Sequence, residues 1–398
     1  ASPAQQQMVI VIGWQVYDLA RATMPIREAA FLLGMIGLAQ FLPVFLLTLV
    51  VGVIADRVDR RYLARGANFI ILCSAVTLAA LTLSGSTHLW PLFLIATLMG
   101  VARAFSGPSL AALAPNLVPA DVLPGAIAWN SIAWQVGAII GPAMGGILYD
   151  VLPGLPYLIS TVLLTVSLAM LFRLPAVQIP KRTGASGVAL VKEGLAYVRG
   201  NQIVLGAITL DLAAVILAGA TAMLPIFARD ILHAGPMGLG LLRAGPAIGA
   251  ATMALWLTFR PISRGVGRRM FVNVAVFSLA TIAFGLSREL WLSVAVLVVL
   301  GAADMISVYV RQSLIQLHTP DAMRGRVSSV SGLFISASNE LGEFRAGIMA
   351  AAIGAVPATV IGGAAALIVT GLWAWWFPAL READRFVVPD SLQSPEEE

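Results

Sequence analysis

The chain alternates long apolar runs with short polar interruptions along its whole length. Residues 31–51, for example, carry no charged side chain. A membrane-crossing helix needs about 20 mainly apolar residues, so each run predicts one spanning helix. The expected fold class is an all-α membrane protein with twelve transmembrane helices. The predicted spans are 1–20, 29–55, 64–86, 88–115, 122–149, 154–173, 202–228, 236–259, 270–287, 289–317, 328–354 and 356–378.

The first of these spans is the weakest in apolar residues. Its apolar stretch covers only residues 8–19 and follows the polar segment "ASPAQQQ". An incomplete first helix is one interpretation. The other is a full helix whose residues Gln5, Gln6 and Gln7 face a wet interior.

Basic residues are unevenly distributed between the two sets of alternating loops. Seventeen of the 25 Lys and Arg residues fall in loops that lie on one side of the membrane if the spans alternate. Cytoplasmic loops are the ones enriched in Lys and Arg. The pattern therefore predicts that both termini are cytoplasmic, in a multi-pass protein of the bacterial cytoplasmic (inner) membrane.

Composition supports this assignment and excludes several functions. The chain is 59% hydrophobic and 11% charged, whereas ordinary globular domains are about 25% charged. The net charge of +5 arises from the basic loops, so nucleic acid is not an expected partner. Cys73 is the only cysteine, and His88, His233 and His318 lie far apart, so no metal site or cofactor is expected. No nucleotide-binding or hydrolase motif is found, which disfavours an enzyme or a receptor without transport.

The longest polar interruption, residues 174–201, divides the spans into two groups of six. We predict an N-terminal half at 1–173, a cytoplasmic linker at 174–201, a C-terminal half at 202–378 and a cytoplasmic tail at 379–398. Within the linker, Val191, Leu195 and Val198 recur at helical spacing, which predicts a short helix lying on the membrane surface. A plain tether is the alternative.

The two halves resemble each other at an offset of 201 residues. Gly100 and Ser106 of the first half align with Gly301 and Ser307 of the second. Halves with the same topology and this offset are parallel repeats, which is the layout of major facilitator transporters.

The segment "GVIADRVDRR" at residues 52–61 resembles the signature of the major facilitator superfamily between its second and third spans. Asp59 departs from the pattern, because the family usually has glycine there. The resemblance implies a latch in which Asp56 contacts the eleventh span while the cytoplasmic side is closed. Alternatively, these charges only fix the orientation of the chain in the membrane and take no part in conformational change. The matching residues are Gly52, Asp56, Arg57, Arg60 and Arg61.

The segment "GPAMGG" at residues 141–146 resembles a fifth-span motif of the family that is associated with exporters and proton antiporters. Glycines four residues apart permit close helix approach, and a proline between them can bend the helix. The eighth span has a similar pair. We predict contact faces between the halves, with general small-residue packing as the alternative. The packing residues are Gly137, Gly141, Pro142, Gly145, Gly146, Gly245 and Gly249.

The segment "RAFSG" looks like the fourth-span arginine motif that the family uses in proton coupling. Arg103 lies within a span, where a charge is costly unless it faces water or an opposite charge. At the repeat offset Arg103 corresponds to Asp304. We predict that both take part in proton coupling. Alternatively, Arg103 extends to the cytoplasmic surface.

Further acidic residues lie within the seventh and eleventh spans. A carboxyl group in a cavity can load and release a proton near neutral pH. Glu343 is the leading candidate for such a role, Asp211 is the second, and Glu340 lies on the same helical face as Glu343. The alternative for each acid is a fixed ion pair with Arg311 or Arg345.

Polar and aromatic residues within the spans are candidates for lining an amphipathic cavity. Asp18 also lies near the predicted outer surface, where Trp14 and Tyr17 suit an aromatic belt, so membrane anchoring is an equal alternative for Asp18. The cavity candidates are Gln15, Asp18, Trp134, Gln135 and Asn339.

Segments such as "LHTPDAMRGRVSSVSGLF" and "NELGEFRAG" are similar to the bacterial branch of the superfamily that holds the enterobactin exporter and the macrolide-efflux proteins. The resemblance implies a secondary active transporter that exports a small amphipathic compound, such as a siderophore or a drug, by proton-coupled alternating access. Its expected partners are that small-molecule substrate, protons and membrane lipids, and it is expected to act as a monomer. Alternatives are an uptake permease for a small solute or metal chelate, and a lipid or lysolipid flippase.

Overall fold

The computed structural model describes residues 2–55, 59–85, 88–117, 123–174 and 187–386, and these ranges contain helices and no strand. The α-helices are α1 (Ser2–Thr23), α2 (Ile26–Ala55), α3 (Arg60–Leu83), α4 (Trp90–Leu117), α5 (Leu123–Val151), α6 (Leu155–Phe172), α7 (Gly187–Gly200), α8 (Gln202–Ala218), α9 (Leu224–Ile226), α10 (Gly235–Phe259), α11 (Val266–Leu286), α12 (Leu290–Leu317), α13 (Asp321–Ile353), α14 (Ala355–Trp376) and α15 (Pro378–Arg381).

Length and hydropathy of these helices agree with a membrane protein. Within the described ranges, eight helical segments are long and apolar enough to cross a membrane. Large apolar side chains such as Val162, Phe259 and Trp375 are exposed on helix surfaces, where lipid would cover them. Each predicted span coincides with a helix or a helical segment, and the predicted all-α membrane fold is confirmed.

The first span is a helix of 22 residues, which is long enough to cross a membrane. Gln7 is buried, and its side-chain amide donates a hydrogen bond of 2.9 Å to the carbonyl of Pro156 in α6. A partner in a neighbouring helix, and not a wet interior, therefore accommodates this glutamine.

The seventh span is broken, which the hydropathy pattern did not predict. Helix α8 ends at Ala218, and the next residue, Gly219, has a φ of 51°, which lies in the left-handed region that favours glycine. A 3₁₀ turn at Ala220–Met223, the short α9 and a π-helical turn at Phe227–Ile231 follow. Interrupted spans of this kind expose backbone groups that need partners inside the protein.

The chain divides into two compact units. The first comprises Ala1–Gly184 and Ala222–Ala244, and the second comprises Ala185–Thr221 and Gly245–Glu398. Segment 222–244, which the sequence repeat assigns to the C-terminal half, therefore packs within the first unit. The predicted halves, 1–173 and 202–378, were defined by sequence symmetry and not by packing. They stay a prediction.

The first unit has a core formed by α1, α3, α4 and α6, in which Ile12, Ile71, Leu78 and Leu164 are fully buried or nearly so. In the second unit, Leu210, Met270, Val310 and Leu314 form a corresponding core. The segment after α14 joins this second core through the buried Leu380.

The beginning of the predicted tail contacts the start of α11. The carboxylate of Asp384 accepts a hydrogen bond of 2.9 Å from the backbone N–H of Gly265, the residue before α11. The N–H of Gly267 donates to the carbonyl of Ala383 at 2.8 Å. These contacts satisfy N–H groups that an uncapped helix start would leave free.

Helix α7 lies in the predicted linker, but its apolar face is covered by protein. Val198 is 1% exposed and belongs to a cluster with Ile315 of α12 and Val330 of α13. Glu193 forms an ion pair of 2.8 Å with Arg326 of α13. The valine and leucine side chains therefore pack within the second unit, and the position of α7 at the membrane surface stays a prediction.

Candidate functional site

Arg345 of α13 binds the end of α8 at the break. Its Nε donates to the carbonyl of Ile216 at 2.8 Å, and its Nη2 donates to the carbonyl of Leu217. Because α8 stops at Ala218, these carbonyls lack the N–H partners of a continuing helix. The guanidinium supplies them, so Arg345 is held by backbone groups and is not the partner of an acidic span residue in these contacts.

Asp211 of α8 and Arg311 of α12 form an ion pair inside the second unit. The Asp211 side chain is 9% exposed and that of Arg311 is 3% exposed. Opposite charges this deeply buried stabilise each other, and removing one partner is costly. The arrangement matches the alternative of a fixed pair for Asp211, the second candidate for proton coupling.

Asp304 lies near the middle of α12 and is partly exposed. Its carboxyl group has no hydrogen-bond or ion-pair partner among the described residues. Ser307, one turn later on the same face, is 3% exposed, and its hydroxyl likewise finds no partner in the described part of the chain. Asp304 therefore differs from Asp211 in being free to change its charge without breaking an ion pair.

The candidates on α13 occupy one stretch of that helix. Glu340 and Glu343 are partly exposed, and each has an interaction within the protein. Asn339 is exposed, and its amide donates to the carbonyl of Ile335 in its own helix at 3.0 Å. Arg103 on α4 is exposed and also has an interaction within the protein.

The end of α1 forms a charged cluster with the segment that follows α9, within the first unit. Asp18 pairs with Arg229 at 2.8 Å. Asp230 pairs with Arg21 at 3.2 Å and also accepts the hydroxyl hydrogen bond of Tyr17. These contacts assign Asp18 to an ion pair and hold the end of α1 against residues 229–230.

The proposed aromatic belt near Asp18 is wrong. Trp14 is 5% exposed and Tyr17 is fully buried, so neither ring lies at a lipid surface. The hydroxyl of Tyr17 is instead directed to Asp230, which lies 213 residues away in the sequence. Position along the helix does not give the direction in which these rings point.

Gln15 belongs to a closed polar network between α1, α3 and α6. It is 5% exposed; its amide donates to Thr82 at 3.0 Å and accepts from the hydroxyl of Tyr157 at 2.8 Å. With its hydrogen bonds used in this way, Gln15 does not line an open cavity. Gln135 is partly exposed on α5, and the side chain of Trp134 lies outside the described residues.

The signature loop is described in part. Gly52 lies in α2 and Arg60 begins α3, whereas Asp56, Arg57 and the Arg60 side chain lie outside the described residues. Arg61 pairs with Asp59 at 2.6 Å and donates to the carbonyl of Leu174 at 3.3 Å. These contacts attach the start of α3 to the end of the sixth span.

Asp59, the departure from the signature, has a clear local role. Its carboxylate accepts a hydrogen bond of 2.9 Å from the backbone N–H of Arg61 and is the N-cap of α3. Hydrogen bonds from the Arg61 side chain lower the pKa of Asp59 below its ordinary value. Asp59 caps a helix start, which is a preferred position for aspartate.

The glycines of α5 contact two different helices. Gly141 and Gly145 lie against α1, where an added Cβ would meet the Pro3 carbonyl at 2.8 Å and Gln7 Cγ at 3.1 Å, respectively. An added Cβ on Gly146 would meet the Pro236 carbonyl of α10 at 2.2 Å. Gly137 and Pro142 are buried in the same helix.

The glycines of α10 pack on α12 in the second unit. A Cβ on Gly245 would meet Leu297 at 3.2 Å, and one on Gly249 would meet the Val298 carbonyl at 1.9 Å. Gly301 of α12 lies equally close to α10, because its Cβ would meet the Pro246 carbonyl at 2.0 Å. For Gly245 and Gly249 the observed contacts are therefore within the second unit, and a contact face between the halves stays a prediction.

Comparison with known proteins decides the family. Residues 7–397 match the family described as "Transmembrane secretion effector". The chain belongs to this family of the major facilitator superfamily. It is similar to macrolide efflux protein A of Streptococcus pyogenes, with 23% identity over 82% of each chain. It is also similar to the enterobactin exporter EntS of Citrobacter koseri, with 27% identity over 94% of this chain and 85% of the relative.

Solved structures agree on the fold. The crystal structure of the POT family transporter PepTSo superposes with a TM-score of 0.73 at 11% identity, covering 96% of this chain and 97% of that one. A likeness at this identity concerns the fold alone. Together, the family and the fold identify a multi-pass membrane transporter with relatives that are efflux proteins.

Sequence reasoning missed Asp230, Arg229 and the capping role of Asp59. Residues 229 and 230 lie between the predicted spans 202–228 and 236–259, where charges are ordinary. An Asp immediately before the start of a helix is a capping signal, and it could have identified Asp59. No local signal pairs Asp230 with Tyr17.

Proposed function

We propose that this protein is a proton-coupled exporter of a small amphipathic compound and that it works by alternating access. The observation that carries the proposal is the presence of carboxyl groups within spans, Asp304 in α12 and Glu343 in α13, in a chain whose relatives are efflux proteins. A charged group within a span is retained at a cost, and it commonly serves ion or proton transfer. The names of the relatives support a macrolide or a siderophore as the substrate class.

An efflux panel in inverted membrane vesicles tests substrate, direction and coupling together. The panel comprises a macrolide, a catecholate siderophore and a lysolipid, each assayed with and without an imposed proton gradient. We expect a macrolide or siderophore to accumulate on the side that corresponds to the cell exterior, and only with the gradient. Transport of the lysolipid alone would support a flippase, and movement toward the cytoplasmic side would support uptake.

Glu343 is the residue we propose to exchange protons with the cavity. Glu343→Gln keeps the shape of the side chain and removes its ability to lose a proton, so we expect gradient-driven export to stop while expression is unchanged. Glu289→Gln is the matched control, because Glu289 is exposed at the start of α12. Full export by Glu343→Gln would remove Glu343 from the mechanism.

Asp56 is the residue we propose as the cytoplasmic latch, on the strength of the signature it matches. Asp56→Asn should slow the exchange between conformations and leave substrate binding intact. Asp59→Asn is the matched control, because Asp59 caps α3 and pairs with Arg61 in the same loop. Weaker binding with an unchanged rate of exchange would contradict the latch.

A further inference from the structure

Helix α12 carries a polar stripe in the interior of the second unit. Asp304, Ser307 and Arg311 are separated by three and four residues, a spacing that places side chains on one face of a helix. One turn before Asp304, Gly301 lies against the Pro246 carbonyl of α10. The stripe is therefore enclosed by neighbouring helices and does not lie on the outer surface of the bundle.

One charged residue of this stripe has an ion-pair partner and the other has none among the described residues. Arg311 is paired with Asp211, so its charge is already balanced. Asp304, two turns away, has no partner among the described residues, and its side chain is partly exposed. An uncompensated carboxylate within a membrane is costly, whereas a carboxyl group that carries a proton is neutral.

Two polar groups further along the same face of α12 lack partners. The hydroxyl of Ser307 and the Nε of Arg311 are buried, and neither has a hydrogen-bond acceptor in the described ranges. Serine in a helix commonly donates to the carbonyl four residues earlier, and Ser307 does not. Buried donors without a partner need a physical explanation, and a carboxyl on the same face that changes its charge would be one.

We infer that Asp304 is a second proton-binding site, distinct from Glu343, and that Ser307 and the Asp211–Arg311 pair are its positioning residues. The inference rests on the proposed function, because it adds a proton site to a proton-coupled exporter. The Asp304 carboxylate accepts a proton from water and becomes a neutral carboxyl, and the same proton returns to water in the second step. The Ser307 hydroxyl donates to the ionised carboxylate one turn away, and Asp211 keeps the charge of Arg311 from holding Asp304 ionised.

Other charged groups on neighbouring helices could bind the proton in place of Asp304 or change its charge. They are Asp211 on α8, Glu340, Glu343 and Arg345 on α13, Arg243 on α10, and Arg268 and Arg269 at the start of α11. Arg345 is directed to the carbonyls at the end of α8, and Asp211 is paired. The acids that compete with Asp304 for the proton are therefore the two glutamates of α13.

Infrared difference spectroscopy of the purified full chain tests the inference without a substrate. Spectra recorded between acid and alkaline pH, in light and heavy water and in sodium-free buffer, report protonated carboxyl groups. We expect wild type to show a carboxyl band that is lost in Asp304→Asn and kept, at a shifted frequency, in Asp304→Glu. Glu343→Gln should remove a different band. An unchanged band in Asp304→Asn would overturn the inference, and so would a band whose titration appears only when sodium is added.

The positioning residues have their own readout. Ser307→Ala should keep the Asp304 band and move the pH at which it titrates, whereas Ser307→Thr, which keeps a hydroxyl, should titrate like wild type. Asp211→Asn should weaken the band, because the freed Arg311 then attracts the Asp304 carboxylate. Identical titrations in all three variants would show that these residues are only structural.

Vesicle transport separates failure of this inference from failure of the proposed function. If wild-type vesicles show no gradient-driven export while the Asp304 band is present, the proposed function fails and the proton site stands. If wild type exports and Asp304→Asn exports equally with no band lost, the proton site fails alone. Because Asp304→Glu retains a carboxyl, it keeps the test valid where Asp304→Asn folds poorly.

Discussion

The close contact between α10 and α12 makes Gly249 sensitive to a single methyl group. A Cβ added at Gly249 would lie 1.9 Å from the Val298 carbonyl oxygen, 2.8 Å from its carbon and 2.9 Å from the nitrogen of Ala302. Ordinary contacts begin at 3.4 Å, so the helices must separate by more than an ångström at this point. All three obstructing atoms belong to the backbone, which cannot rotate away as a side chain can.

The separation would also disturb a second contact between the same helices. Gly301 of α12 packs on the Pro246 carbonyl, where a Cβ would meet the oxygen at 2.0 Å. Forcing extra volume into a packed interface costs about 1–3 kcal/mol, and we expect the upper part of that range for Gly249→Ala because two contacts loosen together. Alanine is about 0.8–1 kcal/mol better than glycine in a helix interior, which offsets part of this cost.

Gly371→Ala in α14 is the matched control, because nothing lies within 4 Å of a Cβ at that position. The same substitution there should raise stability by up to about 1 kcal/mol, through helix propensity alone. Thermal unfolding in detergent, followed by the fluorescence of the nine tryptophans, compares the two variants. If Gly249→Ala unfolds at the temperature of wild type or above it, α10 and α12 do not pack closely enough at Gly249 to exclude a methyl group.

Three further predictions concern individual polar contacts, each measured by thermal unfolding in detergent. Asp59→Ala removes the N-cap of α3 and should cost about 1 kcal/mol at neutral pH. Because the pKa of Asp59 is lowered in the folded protein, this contribution is present above the ordinary carboxyl pKa and lost as the pH falls; a difference from wild type that grows in acid would be contrary. Arg345→Lys leaves one of the two α8 carbonyls without a donor and should cost about 1.5–3 kcal/mol, whereas Arg345→Lys as stable as wild type would show that water satisfies that carbonyl. Asp230→Asn removes the charge that Arg21 and Tyr17 both bind and should cost about 1.5–3 kcal/mol, with Tyr17→Phe costing less; the reverse order would assign the main role to the hydroxyl.

The twelve spans and the family followed from local patterns in the chain. A span is recognised because about 20 consecutive apolar residues satisfy the membrane interior whatever their neighbours are. The signature at residues 52–61 and the motif at 141–146 are short and contiguous, so they could be compared directly with the family. Hydropathy alone did not predict the break at Gly219, because a broken and an unbroken apolar run have the same composition.

Only the tertiary structure decided which ion-pair and hydrogen-bond partners the charged side chains have. From the sequence, both Arg311 and Arg345 were possible ion-pair partners for the acids of the spans. In the folded protein Arg311 pairs with Asp211, and Arg345 donates to backbone carbonyls of α8. Tyr17 pointed to Asp230 for the same reason, since helices that are distant in sequence face each other only after folding. Hydrophobic periodicity determines which residues can lie in the membrane. Only the packing of one helix on another determines which charges they meet.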